Sequence, residues 1–338
     1  MTDRPLWLVV PHGFDDPGQV SGGNVYDQRL RDGLAHRGWD VRMLAPRAPG
    51  VAEALAGVPR GGVVLIDGLV AGWAPEAVEG AVASGIRIVV LAHMCTAAFP
   101  DAQPAAIAAE RRAFRGAERV IATSEWTAGE LIRRAIVDAD RVSVARPGVS
   151  DDCGAREGAG CAGEVLCVGV IAPHKGQDVL LAALARLEHR EWSCTLAGSA
   201  RTAPDFAARV AHDARRFDGR VRLAGVLTGG ELARAYAHAG VLVAPSRVES
   251  FGMAIADARS RGLPVIASAT GGIGEAVAGG GAMLVPPGDP EVLAHALWRW
   301  LAHAGVRDRL RAGAADARAH APRWDETAAR VDVTLGAL

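Results

Sequence analysis

The chain has 338 residues, of which 50% are hydrophobic and 22% charged, and its formal net charge is −1. That length suits two domains with sizeable cores. The near-neutral balance, with no basic face and no recognised module, argues against a nucleic-acid partner. No apolar run approaches the length of a membrane span. The five cysteines are Cys95, Cys153, Cys161, Cys167 and Cys194; their number is odd and no C-x-x-C occurs. A zinc site is therefore not expected, no metal or cofactor is implied, and a reduced cytoplasmic location fits.

Taken in chain order, "MTDRP" precedes the short apolar run "LWLVVP", which reads as a first strand and not as the core of an export signal. Strands are expected at residues 6–10, 41–44, 63–67, 86–92, 120–123 and 142–145. Helical patterns lie between most of them, for example "NVYDQRLRDGLAHRG", which ends at Gly38. Several of these strands are near-continuous runs of Val, Ile and Leu. Such runs mark strands buried on both faces, as in a parallel sheet.

The stretch "RPGVSDDCGAREGAGCAGE", residues 146–164, is rich in Gly and Asp without periodicity and reads as a linker. The alternation then restarts, with strands expected at 165–170, 193–197, 221–224, 241–244, 265–267 and 283–285. The pattern predicts an α/β protein of two doubly wound domains, at 1–150 and 160–322. A final helix at 323–338 is expected to pack back on the first. In open α/β sheets ligands bind beyond the carboxyl ends of the strands, so the loops there carry the candidate chemistry.

Three such loops stand out. "GVIAPHKG", Gly169 to Gly176, follows a strand, opens a helix and holds Lys175, the sole lysine among the cationic residues. Helix N-terminal N–H groups and an ammonium suit a phosphate. "PSRVESFGMAIAD" sets Glu249 ahead of Gly252 and a helix carrying Asp257. A carboxylate there, with free N–H groups at Phe251 to Met253, can grip the hydroxyls of a polyol. "TGGIGE" is a second glycine-rich turn, at Gly271 and Gly272. The plain alternatives are a helix cap for Glu249, a solvated face for Asp257 and turn formation for the two glycines. Asp67, ending "VVLID", is evenly balanced between function and structure. "GGIGEAV" holds only part of a dinucleotide fingerprint.

These motifs, in this order and spacing, resemble the family 4 glycosyltransferases (glycosyl transferases of group 1), retaining enzymes of the GT-B fold. The resemblance covers most of residues 165–301. In the first half "SGGN" and "LAHMC" resemble the family more loosely. It implies two Rossmann-like domains facing a central cleft. It also implies a nucleotide-sugar donor, UDP or GDP by default, and a small-molecule or glycan acceptor, with no metal. Lys175 would bind the donor diphosphate, and Glu249 would contact the donor near the reaction centre. Backbone at Phe251, Gly252 and Met253 would hold sugar hydroxyls, and Asp257 would replace the glutamate that binds the ribose. Gly22 and Gly23 would approach the phosphates, His93 would face the donor sugar, and Gly271 and Gly272 would sit beside the same cleft.

Two departures stand against the pattern. Val170 occupies the place of the family's arginine, with Arg146, Arg201, Arg247 or the adjacent His174 as possible replacements. Asp257 is one methylene shorter than the usual glutamate. A same-fold epimerase or phosphorylase, and a non-catalytic sugar-nucleotide binder, are the competing readings. The basic helical stretches are interrupted by acids, which argues against membrane docking. Neither the acceptor nor the oligomeric state is legible.

Overall fold

The computed structural model describes residues 4–149 and 160–338. The chain divides into two compact units. The first comprises Met1–Asp15, Gly23–Gly148 and Arg323–Leu338; the second comprises Asp16–Gly22 and Val149–Pro322.

The first unit is built on strands β1 (Arg4–Val9), β2 (Trp39–Leu44), β3 (Val63–Asp67), β4 (Arg87–Ala92), β5 (Arg119–Ala122) and β6 (Val142–Val144). All pairings are parallel, in the order β2-β1-β3-β4-β5-β6. Alternate residues of each strand face two separate cores. Trp7 and Val9 of β1 join one, and Leu6 and Leu8 join the other. Both faces are covered, which is why the strands read as unbroken apolar runs.

The second unit repeats the plan with β7 (Glu164–Val168), β8 (Ser193–Ala197), β9 (Val221–Gly225), β10 (Val241–Ala244), β11 (Val265–Ser268) and β12 (Ala282–Val285). Its parallel order is β12-β11-β10-β7-β8-β9. Counted from its own first strand, this is the 3-2-1-4-5-6 order of dinucleotide-binding sheets. Val165 and Cys167 face one core, and Leu166 the other.

All twelve expected strands form, with small corrections at their ends. The strand expected to reach Val170 stops at Val168, where Gly169 takes a φ of +152°, although the Gly169 and Ile171 N–H groups still donate to the Ala197 and Ser199 carbonyls at 2.9 and 2.8 Å. The first strand begins two residues earlier, at Arg4, and ends at Val9. Of the expected linker, residues 150–159 lie outside the described residues. A continuous first domain over 1–150 also needs correcting. Asp16–Gly22 groups with the second unit, where the Gly18 carbonyl accepts from Ser199 Oγ at 3.1 Å and Arg201 meets Asp16 at 3.2 Å.

The last helix, Trp324–Gly336, belongs to the first unit. It buries Ala328, Val331 and Leu335 in the core containing Tyr26 and Leu30. It lies so close to helix Gly22–His36 that a Cβ on Gly33 would stand 2.6 Å from that of Ala328. Thr327 Oγ1 donates to the Arg146 carbonyl at 2.7 Å, and Trp39 Nε1 donates to Asp332 at 2.9 Å. No described helix is long and apolar enough to cross a membrane.

Candidate functional site

In the second sheet the order reverses between β7 and β10, and the crevice at such a switch point is where open α/β sheets bind ligands. The loops leaving those two strands meet there. After β7 the chain makes a 3-10 turn over Pro173–Lys175 and then starts helix Gln177–Ala185. Gly176, between them, has φ +71°, and a Cβ there would run into the Pro245 carbonyl oxygen of the loop after β10. Only glycine permits both the left-handed turn and the close approach.

Arg247 fastens the two loops. Its guanidinium donates to both carboxylate oxygens of Asp178 at 2.8 Å and to the Pro173 carbonyl at 2.8 Å. Its backbone N–H donates to the His174 carbonyl at 2.7 Å. The result brings Lys175 Nζ to 2.6 Å from Glu249 Oε2, with both side chains mostly buried. Ser246 Oγ also donates to that oxygen, at 3.3 Å. An ammonium has three donors, so one N–H on Glu249 leaves two for an incoming anion.

The loop carrying Glu249 is braced from behind. Gly272 donates to the Glu249 carbonyl at 2.9 Å. A Cβ on Gly271 would collide with the Glu249 carbonyl oxygen, and one on Gly272 with that of Ser250. These two glycines therefore set the backbone path of Glu249. Gly252, with φ +103°, turns the chain into helix Met253–Ser260. The Phe251 ring is buried in the core, so only its backbone faces the loop. Asp257 stands in the second turn of that helix, partly exposed, with Arg261 Nη1 3.9 Å from Oδ1. Gly22 lies beside Met253, whose Sδ would be 3.3 Å from a Cβ at that position.

None of the cations considered as replacements for the arginine missing at Val170 is without a partner. Arg247 is committed to Asp178, Arg201 pairs with Asp16 at 3.2 Å, and Arg146 pairs with Glu125 at 3.3 Å. His174 supplies no charge, because burial, reinforced by Lys175, pushes its pKa down to about 4. The Val170 carbonyl instead accepts from Gln177 Nε2 at 2.9 Å, which steadies the turn. Cys167 and Cys194 are buried thiols whose pKa burial raises, Cys167 to about 12.

The first sheet has its switch point between β1 and β3, and a second cluster gathers at that end. His93 follows β4, Asp67 ends β3, and Asp27 lies on helix Gly22–His36. His93 Nε2 is 2.9 Å from Asp27 Oδ1 and 3.7 Å from Asp67 Oδ2. Asp67 also caps helix Gly68–Trp73, accepting from Leu69 N–H at 2.6 Å. The Tyr26 ring meets the imidazole edge-on at 5.2 Å, and Gly23 lies beside the ring. Burial raises the Asp67 pKa to about 6 against the pull of His93. Burial lowers that of His93, but the charge and hydrogen bond of Asp27, with the charge of Asp67, outweigh it and raise the value to about 9.

Sequence reasoning did not single out Asp27. The signal was present, since Asp27 falls on the same helical stripe as the buried Leu30 and Leu34. An acid in an apolar stripe needs a partner.

Residues 162–303 match the family model described as glycosyl transferases group 1, and residues 63–152 match that of glycosyltransferase family 4. The chain belongs to this family. The family 4 chain is similar to a D-inositol 3-phosphate glycosyltransferase of Frankia alni, 36% identical over 246 residues. That match covers 67% of this chain and 60% of the relative. It is similar too to the enzyme of the same name from a Nocardioides species, 34% identical, covering 67% of this chain and 55% of the relative. The matches thus span little more than half the length of these curated relatives.

Among solved structures, sucrose-phosphate synthase from Thermosynechococcus elongatus aligns with a TM-score of 0.81 at 22% identity, over 98% of each chain. Anabaena HepE in complex with UDP-glucose aligns with a TM-score of 0.78 at 17% identity, over 99% of this chain and 100% of that one. The fold is GT-B, with two parallel six-stranded sheets flanked by helices.

Proposed function

We propose that this chain moves a sugar from a nucleoside-diphosphate sugar to an acceptor hydroxyl, with retention at the anomeric carbon and no metal ion. The observation that carries this reading is the Lys175–Glu249 pair at the β7/β10 switch point, 2.6 Å apart in a family 4 chain. UDP is the first nucleotide to test, because HepE structures contain UDP and UDP-glucose. The names of the curated relatives make a phosphorylated inositol the first acceptor to test.

In this reading the bond between the sugar's anomeric carbon and the diphosphate oxygen breaks. Positive charge grows on the sugar and negative charge on the leaving phosphate. Lys175 keeps one N–H on Glu249 and donates the others to phosphate oxygens, with the opening turn of helix Gln177–Ala185 behind it. Backbone N–H groups at Phe251, Gly252 and Met253 hold sugar hydroxyls, Glu249 accepts from the donor, and Asp257 accepts from the ribose. Gly22 and Gly23 admit the phosphates closely, while Gly271 and Gly272 hold Glu249 in register. The acceptor oxygen bonds the anomeric carbon on the face the diphosphate leaves, and its proton passes to a leaving phosphate oxygen. No Ser/His/Asp relay is required.

The test uses UDP-glucose labelled at the anomeric carbon with D-inositol 3-phosphate, followed by NMR. The expected product keeps the α configuration, and Lys175→Ala lowers kcat by about 100-fold or more. A β product refutes retention. A change in the donor sugar without acceptor would identify an epimerase, and donor binding without any turnover would leave only a binder.

A further inference from the structure

The cluster Asp27–Asp67–His93 is more than an orientation of one ring. Asp27 is fully buried, and while Oδ1 meets His93, its other oxygen, Oδ2, is buried without a hydrogen-bond partner. Asp67 is also buried, and its Oδ1 is spent on the Leu69 N–H. Two carboxylates enclosed around one imidazole are costly unless the imidazole carries a compensating charge. The remaining titratable neighbour, Tyr26, supplies none. Its hydroxyl donates to the Ala145 carbonyl at 2.8 Å, and burial, with Asp27 beside it, holds the phenol far above its usual range. Of these groups only His93 can carry a positive charge.

We propose that Asp27 is a positioning residue that, with Asp67, locks His93 as an imidazolium, tying Nε2–H inward and presenting Nδ1–H as a fixed donor. Among the described residues no protein group hydrogen-bonds to Nδ1. The ring's side chain is 17% exposed, so it is not sealed from solvent. An imidazolium donates and cannot accept, so His93 is not a base. It offers a charged hydrogen bond to a hydroxyl or phosphate oxygen. Its service to the donor sugar rests on the transferase reading, but its protonation state does not.

The experiment is ¹⁵N NMR of the full chain labelled at histidine, with His93 assigned by its loss in His93→Gln. Both ring nitrogens should be protonated at pH 7.5, with a midpoint at about 9. In Asp27→Asn the midpoint should fall by about two to three pH units, leaving His93 largely neutral at pH 7.5. A neutral His93 in the wild-type protein overturns the proposal without Asp27→Asn having to fold. So does an unchanged midpoint in a folded Asp27→Asn. Displacement of the His93 proton by one equivalent of Mg²⁺ or Zn²⁺ would overturn it too, making the triad a cation site. None of these readouts needs turnover, so a failed transferase assay leaves them standing.

Discussion

Gly176 fixes where Lys175 can point, and it does so twice over. Its φ of +71° is one that side-chain-bearing residues adopt at a cost, and the Pro245 carbonyl occupies the place of a Cβ. Gly176→Ala should lower unfolding stability by about 2 kcal/mol in urea titrations, with the loop after β7 pushed from the loop after β10. Nucleotide binding should weaken along with it. An alanine variant of native stability and native nucleotide response would contradict the account of these loops. The lysine itself was legible as an exception in an arginine-rich chain, and "KG" after a strand marked its loop. The partner at 2.6 Å lies 74 residues away, and only the folded chain shows it.

At the scale of elements, period and composition carried most of the reading. Strands buried on both faces announce themselves as apolar runs, and all twelve form. Their ends moved where the backbone angle changes, as at Gly169 with its positive φ, which no apolar count detects. Gly271 and Gly272 read equally well as a phosphate turn. The structure puts the Glu249 and Ser250 carbonyls where their side chains would be, a packing fact between two loops distant in sequence. Asp27 escaped notice because its partners, Asp67 and His93, come from two other strands' ends.

The final helix makes the strongest prediction at this scale. It buries Ala328, Val331 and Leu335 and covers Tyr26 with Trp324. Deleting residues 323–338 should expose that core face and lower the melting temperature by at least several degrees, as loss of a few buried side chains implies. Unchanged melting of the truncated chain would show that the helix contributes little.

For the whole molecule, strand order explains why the candidate residues gather where they do. The second unit's order reverses between β7 and β10, and Lys175 and Glu249 come from the loops after those strands. The first unit reverses between β1 and β3, where Asp27, Asp67 and His93 collect. Neither order is written locally in the sequence, because strand neighbours are chosen by packing across the whole unit. The motifs of family 4 stood in for that information. The chain also leaves the first unit near residue 149 and returns at Arg323, so residues 1–149 alone lack a part of their own core.

The most direct test of the central claim, that Lys175 and Glu249 form a nucleotide-sugar site, is a thermal-shift comparison of the wild type with Lys175→Ala. UDP, GDP, ADP and their glucose conjugates serve as ligands. Selective binding to the folded protein must raise its melting temperature. The account predicts that one nucleotide, UDP first, stabilises the wild type and that Lys175→Ala, folded by circular dichroism, loses the shift. Equal stabilisation of both proteins, or of neither, would contradict it.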